Sequence, residues 1–165
     1  MDEEFTLRKS IELAITTEEM GSKFYSRLAS KFDQHPALNG LFHQLALEEK
    51  EHHVQVADLL ELAPASLDDK VEFERPAKLR GIAISEFFST KDGPFQDIDQ
   101  IDSEIEGVER ALAFEQTTLA LYRGIREKLG PRKPLDLLVN MEEAHVQRLS
   151  SALSTLQTMA KMTGG

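Results

Sequence analysis

Six residues with metal-binding side chains lie at core positions of four segments that have helical periodicity. Apolar residues recur at spacings of three and four in each segment, which is the period of an amphipathic α-helix. Two segments carry one glutamate in the apolar stripe, and the other two carry a Glu-x-x-His pair. The six residues are Glu18, Glu49, His52, Glu115, Glu142 and His145. Any fold of this chain must therefore bury these polar side chains together or leave each one without a partner.

The periodic segments predict four long helices, approximately over residues 4–32, 36–62, 102–129 and 134–161. Short breaks rich in proline and glycine join the first helix to the second and the third to the fourth, which predicts two antiparallel hairpins. The intervening stretch, 63–101, is long enough to run the length of a bundle, and 82–88 within it is a candidate short helix. Since 165 residues suffice for one domain with a full core, we predict a single all-α domain over 1–165. Its architecture is an antiparallel four-helix bundle with one long crossover between helices 2 and 3.

The two hairpins look like two copies of one repeat. Glu18 lies seven residues before Tyr25, Glu115 lies seven residues before Tyr122, and these are the only tyrosines in the chain. The two Glu-x-x-His pairs then fall in equivalent helices. We expect each half to contribute three of the six residues, related by a pseudo-twofold axis.

The Glu-x-x-His pairs are weak evidence on their own, because a helical chain with many glutamates and five histidines contains about one such pair by chance. Their setting gives them weight, since all six residues occupy core positions near the middle of their helices. The other histidines, His35, His43 and His53, lie outside the stripe and are expected to face solvent. The same expectation applies to neighbouring glutamates such as Glu48.

A buried group of four carboxylates and two imidazoles favours a pair of metal ions. Unpaired carboxylates in a dry core cost several kcal/mol each, whereas two divalent cations cancel four negative charges and bind neutral imidazoles. Oxygen and imidazole ligands suit iron and manganese, and zinc is also compatible. The absence of cysteine excludes thiolate sites within this sequence. A polar core that needs no metal is the alternative.

The charge of the chain disfavours two classes of partner. A net charge of −10 and a pI near 5.0 argue against binding nucleic acid or an anionic membrane. The first ten residues lack the apolar core of a signal peptide, and no apolar run approaches the length of a membrane span. We therefore expect a soluble cytoplasmic protein. Phe87, Phe88 and Phe95 in the crossover are expected to leave an exposed apolar patch, which predicts a homodimer.

Four stretches resemble rubrerythrin-like members of the ferritin-like superfamily, and the resemblance extends over essentially the whole chain. They read AITTEEMGSKFY, LALEEKEHHVQV, ALAFEQTTLALY and NMEEAHVQRL. The resemblance implies that Glu18 and Glu115 each bind one metal ion and that Glu49 and Glu142 bridge both. It also implies that His52 and His145 each bind one ion.

By the same resemblance, Tyr25 and Tyr122 lie behind the ligands and each donates a hydrogen bond to a ligand carboxylate. The alternative is core packing, in which each buried hydroxyl still needs some partner. Two features depart from rubrerythrins proper. The chain has no cysteine-rich rubredoxin domain, and Leu112 and Thr118 stand one turn from Glu115 where those proteins place an additional glutamate.

The resemblance implies a di-iron protein that reacts with hydrogen peroxide or dioxygen and oxidises Fe(II) to Fe(III). Without its own rubredoxin centre, such a protein would need an external electron donor protein. Iron binding or storage without catalytic turnover is an alternative, as is manganese catalase-like chemistry. The spacing of the ligands does not distinguish iron from manganese.

Overall fold

A computed structural model describes residues 6–62, 64–71 and 97–164 of the chain, and these contain four long helices. They are α1 (Leu7–Lys31), α2 (Pro36–Leu62), α3 (Glu104–Leu129) and α4 (Lys133–Thr163). Single 3-10 turns follow α2 at Pro64–Ser66 and precede α3 at Ile98–Gln100.

The predicted all-α four-helix bundle is confirmed. The candidate helix at 82–88 and the three crossover phenylalanines lie outside the described residues. Among the helices described, none is long and apolar enough to cross a membrane.

Local capping residues set where two of the helices begin. Ser103 Oγ accepts a hydrogen bond from the Glu106 backbone N–H at 3.2 Å, as its position in a capping box predicts. The Glu106 carboxylate accepts a hydrogen bond from the backbone N–H of Asp102 at 3.3 Å, whereas a capping box would use the backbone N–H of Ser103. His35, which was expected to face solvent, is partly buried, and its Nδ1 accepts from the Leu38 N–H at 3.2 Å. It therefore caps α2, because the first N–H groups of a helix have no partner within the helix.

The helices pack as two hairpins. Helix α1 packs mainly on α2, and α3 packs mainly on α4. The hairpins meet where α1 contacts α3 and α2 contacts α4. One apolar cluster, built around Phe24, Phe42 and Phe114, fills one end of the bundle, and a second, around Ile11 and Ile125, fills the other end. The middle of each helix lies between the two clusters, and all six candidate ligands come from these middle segments.

The chain that leaves α2 returns to the start of α1. The backbone N–H of Leu7 donates to Asp69 at 2.7 Å, and that of Arg8 donates to Leu67 at 2.9 Å. These bonds satisfy N–H groups of the first turn of α1, which have no acceptor within the helix. Leu67 and Val71 are buried in the second apolar cluster. The start of the crossover therefore closes that end of the bundle.

Candidate metal centre

The six candidate ligands form one polar layer between the two apolar clusters. Their side chains are almost completely excluded from solvent, with 1% exposure for His145 and 0% for Glu18, Glu49, His52, Glu115 and Glu142. The potential ligand atoms of both Glu-x-x-His pairs lie within 4.8 Å of one another. The other two glutamates flank this group, since Glu18 Oε2 is 3.6 Å from His52 Nδ1 and Glu115 Oε1 is 3.4 Å from His145 Nδ1.

Both histidines direct Nδ1 towards the carboxylates. His52 Nδ1 is 2.8 Å from Glu142 Oε1, and His145 Nδ1 is 3.5 Å from Glu142 Oε2 and 3.4 Å from Glu49 Oε1. The two imidazole rings stack with their centroids 5.1 Å apart. Glu142 thus presents one oxygen to each histidine, which is the arrangement needed by a carboxylate that bridges two ions.

The two tyrosines connect the hairpins in a reciprocal way. Tyr25 on α1 donates its hydroxyl hydrogen bond to Glu115 Oε1 on α3 at 2.5 Å. Tyr122 on α3 donates to Glu18 Oε1 on α1. Each tyrosine therefore pairs with the glutamate of the other half, although the sequence spacing links it to the glutamate of its own half. Each glutamate keeps its second oxygen free for another partner.

Many polar atoms of this layer form no hydrogen bond among the described residues, although His52 Nδ1 and Glu142 Oε1 approach to 2.8 Å. They include both oxygens of Glu49 and of Glu142, Oε2 of Glu18 and of Glu115, and Nδ1 of both histidines. Buried polar atoms are nearly always satisfied in folded proteins, and an unsatisfied one costs about 1–3 kcal/mol. Cations coordinated by these oxygen and nitrogen atoms would satisfy them. The residues present therefore fit a pair of metal ions.

Two of the buried carboxyls, Glu115 and Glu49, have a raised pKa when no cation is present. Burial and the charge of Glu142 together raise the pKa of the Glu115 carboxyl to about 8. Burial also raises the pKa of Glu49 well above its usual range, and the charges of Glu18 and Glu115 act in the same direction. For Glu142, burial raises the pKa, but contacts with Glu115 and the histidines bring it below its ordinary value.

The neighbouring carboxylates raise the pKa of both histidines. Burial alone lowers the pKa of His52, but the carboxylates of Glu142 and Glu18 raise it to about 10. For His145, the effect of burial is likewise outweighed by Glu115 and Glu142, which raise its pKa to about 11. Since a histidine must be neutral to bind a metal ion, cations that enter this layer displace protons.

Glu48 contacts the site, and the expectation that it faces solvent is wrong. Its side chain is 19% exposed, and Oε2 lies 2.7 Å from His145 Nε2. Arg148 contacts the same oxygen, and Gln44 donates to Oε1 at 2.9 Å. Burial raises the pKa of Glu48, but its bonds to Gln44, Arg148 and His145 bring it below the ordinary value. Sequence periodicity missed this residue because its partner lies on α4, and the register between α2 and α4 is not written in the spacing of either helix.

Two small residues shape the layer on α1 and α3. A Cβ atom at Gly21 would lie 2.8 Å from Phe114 Cζ and 3.2 Å from Glu49 Oε2, so glycine permits both side chains to approach α1. Thr118 is buried, and its hydroxyl donates to the Phe114 carbonyl at 3.1 Å. Thr118 and Leu112 thus add no carboxylate one turn from Glu115.

Known proteins resemble this chain in part of its sequence and in its fold. Residues 9–86 match the family model for rubrerythrin, and this span includes Glu18, Glu49 and His52. This part of the chain is similar to rubrerythrin. A crystal structure from Thermotoga maritima, described as a candidate ferritin-like diiron-carboxylate protein, superposes on this chain with a TM-score of 0.68 at 19% identity. The superposition covers 93% of this chain and 98% of the other. At that identity the likeness shows the ferritin-like fold. No curated protein matches the sequence.

Proposed function

We propose that this protein binds two iron ions in the buried layer and oxidises Fe(II) to Fe(III) with hydrogen peroxide or dioxygen. The observation that carries the proposal is the set of four carboxylates and two imidazoles whose unpartnered atoms face one another at the centre of the bundle. A purely structural polar layer would be expected to satisfy these atoms with protein donors. The ligand set is compatible with manganese and zinc as well, and iron is proposed because of the family resemblance.

The contacts divide the proposed ligands between two positions. Glu18 and His52 approach each other and would hold one ion, and Glu115 and His145 would hold the other. Glu142 would bind both ions, because its two oxygens face different histidines. Glu49 is proposed as the second bridge, because both of its oxygens lack a hydrogen-bond partner in the part of the chain that is described.

Each part of the chain has a distinct role in the proposed reaction. When bound, two ferrous ions supply two electrons to a small oxidant and become ferric. The four carboxylates stabilise the added positive charge of the ferric state because they lie in a layer that excludes water. Tyr25 and Tyr122 hold Glu115 and Glu18 in place through one oxygen each and leave the other oxygen for a metal ion.

Repeated turnover requires electrons from elsewhere. The sequence contains no cysteine for a thiolate iron centre, so we propose that an external electron donor protein returns the iron to the ferrous state. We also propose that the chain acts as a homodimer in the cytoplasm.

The test is to load the metal-free protein with two equivalents of Fe(II) without oxygen and then to add hydrogen peroxide or dioxygen. We expect rapid loss of Fe(II), measured with a ferrous chelator, together with the near-ultraviolet absorption of protein-bound ferric iron. Glu142→Gln should abolish the protein-bound signal. Glu143→Gln is the matched control, because Glu143 lies on the surface of α4 and pairs with Arg123 at 3.0 Å.

Three results would contradict the proposal in different ways. Fe(II) oxidation no faster than in the Glu142→Gln variant would exclude oxidation at this site. Uptake of many irons per chain by a hollow assembly would indicate storage instead. Activity with manganese and peroxide, but not with iron, would indicate catalase-like chemistry.

A further inference from the structure

The two histidines of the metal layer have different surroundings behind their rings. For either histidine to bind a metal ion through Nδ1, the ring must carry its proton on Nε2. At His145 that proton has an acceptor, since Nε2 lies 2.7 Å from Glu48 Oε2. A carboxylate at this place fixes the tautomer and the orientation of the ring and makes its free nitrogen a stronger ligand.

Glu48 is itself held in position by two further side chains. Gln44 donates to Oε1 at 2.9 Å, and Arg148 donates to Oε2, the oxygen that faces His145. The carboxylate is therefore oriented by a neighbour on its own helix and by an arginine on α4. A charged hydrogen-bond partner of this kind is stronger than a neutral one.

The other half of the repeat lacks this arrangement. When Glu49 is aligned with Glu142, Glu48 falls on Met141 and Arg148 falls on Gln55. Neither methionine nor glutamine can supply the carboxylate or the cation. Consistent with this, His52 Nε2 and Gln55 Oε1 are both buried without a hydrogen-bond partner among the residues that the structure describes.

We infer that the two metal positions differ in affinity, and that Glu48 and Arg148, as positioning residues, make the position at His145 the tighter one. This inference rests on the proposed two-metal site and adds an order of filling to it. Loss of such an outer partner typically weakens metal binding about 10–100-fold. We therefore expect the first ion to occupy the His145 position and the second to bind at least about tenfold more weakly.

The order of filling can be measured directly with zinc, which is diamagnetic and has no redox chemistry. Metal-free protein labelled with nitrogen-15 at histidine is titrated with Zn(II), and the ring nitrogens are followed by NMR. We expect the Nδ1 signal of His145 to change during the first equivalent and that of His52 during the second. The hydrogen-bonded Nε2–H of His145 should be visible before metal is added.

Variants then test the cause of the difference by calorimetric titration with Zn(II). Glu48→Gln should weaken the first binding step about 10–100-fold and leave the second nearly unchanged, and Glu48→Asp should retain part of the difference. Met141→Glu combined with Gln55→Arg supplies the missing groups to His52 and should bring the two constants closer together. Glu51→Gln is a control on the exposed side of α2 and should change neither step.

The outcomes separate this inference from the proposal on which it rests. Two ions that bind with equal affinity, or His52 responding first, would overturn the order of filling while leaving the two-metal site intact. Equal weakening of both steps by Glu48→Gln would also overturn it, since the effect would then not be specific to His145. Binding of fewer than two ions per chain would overturn both.

Discussion

Replacement of Glu49 by leucine should stabilise the metal-free protein. Glu49 is completely buried, neither oxygen has a hydrogen-bond partner among the described residues, and burial raises its pKa well above the usual range. It therefore enters the core as a carboxyl group whose oxygens form no hydrogen bond, with His145 Nδ1 at 3.4 Å from Oε1. Burial of such a group costs about 1–3 kcal/mol in proteins. An apolar side chain of similar size avoids that cost.

Metal ions should reverse the order of stability. A ligand at 100 times its dissociation constant stabilises the folded state by about 2.7 kcal/mol per site. The wild-type protein gains this at the two positions proposed, whereas Glu49→Leu loses a ligand that serves both. The variant should therefore be the more stable protein without metal and the less stable one with metal.

Thermal unfolding followed by circular dichroism, with chelator and then with excess Zn(II), measures both effects. For a chain of this size each kcal/mol shifts the midpoint by about 2–4 °C, so the metal-free variant should melt roughly 2–12 °C higher. Glu51→Leu on the exposed side of α2 is the control and should change stability by less than about 0.5 kcal/mol. A lower stability of metal-free Glu49→Leu than of wild type would contradict this prediction, because Glu49 would then have a stabilising partner within the protein.

Three further predictions concern other parts of the site. Gly21→Ala should destabilise the fold by about 1–3 kcal/mol, because the new methyl group overlaps Phe114. Gly40 on α2 has open space where a Cβ atom would lie, so Gly40→Ala should stabilise the protein by about 0.5–1 kcal/mol. Denaturant unfolding compares the two glycine variants, and equal effects would contradict the predicted overlap with Phe114. Tyr25→Phe should weaken metal binding by releasing Glu115, with little effect on the overall helix content; unchanged affinity in a calorimetric titration would assign the hydroxyl to packing alone. Metal binding should release protons, because the two buried histidines have pKa values near 10 and 11 in the metal-free layer. Apparent affinity should accordingly rise with pH through the neutral range, and calorimetry in buffers of different ionisation enthalpy counts the protons released.

Local periodicity predicted the features of the fold that a single helix determines. The apolar stripe of each helix correctly predicted four long helices and the burial of residues such as Glu18 and Glu115, because a helical period specifies which positions share a face. It also predicted that Pro36 begins α2, since proline needs no N–H partner in the first turn.

Contacts between helices could not be predicted in the same way. Tyr25 donates to Glu115 rather than to the glutamate of its own half, and Glu48 reaches His145 across the bundle. Each of these contacts depends on the axial offset and rotation between two helices, which sequence spacing within one helix does not contain. The periodicity therefore identified the polar layer and left its internal pairing open.

The pairing explains how the metal layer and the bundle depend on each other. Both tyrosine hydrogen bonds run between α1 and α3, and the contacts of His145 with Glu49 and Glu48 run between α2 and α4. Those are the two interfaces at which the hairpins meet, whereas each hairpin alone has its own extensive packing. A metal pair bound by ligands from all four helices would therefore add stability where the two halves of the protein join, and its affinity should depend on how well the hairpins are docked.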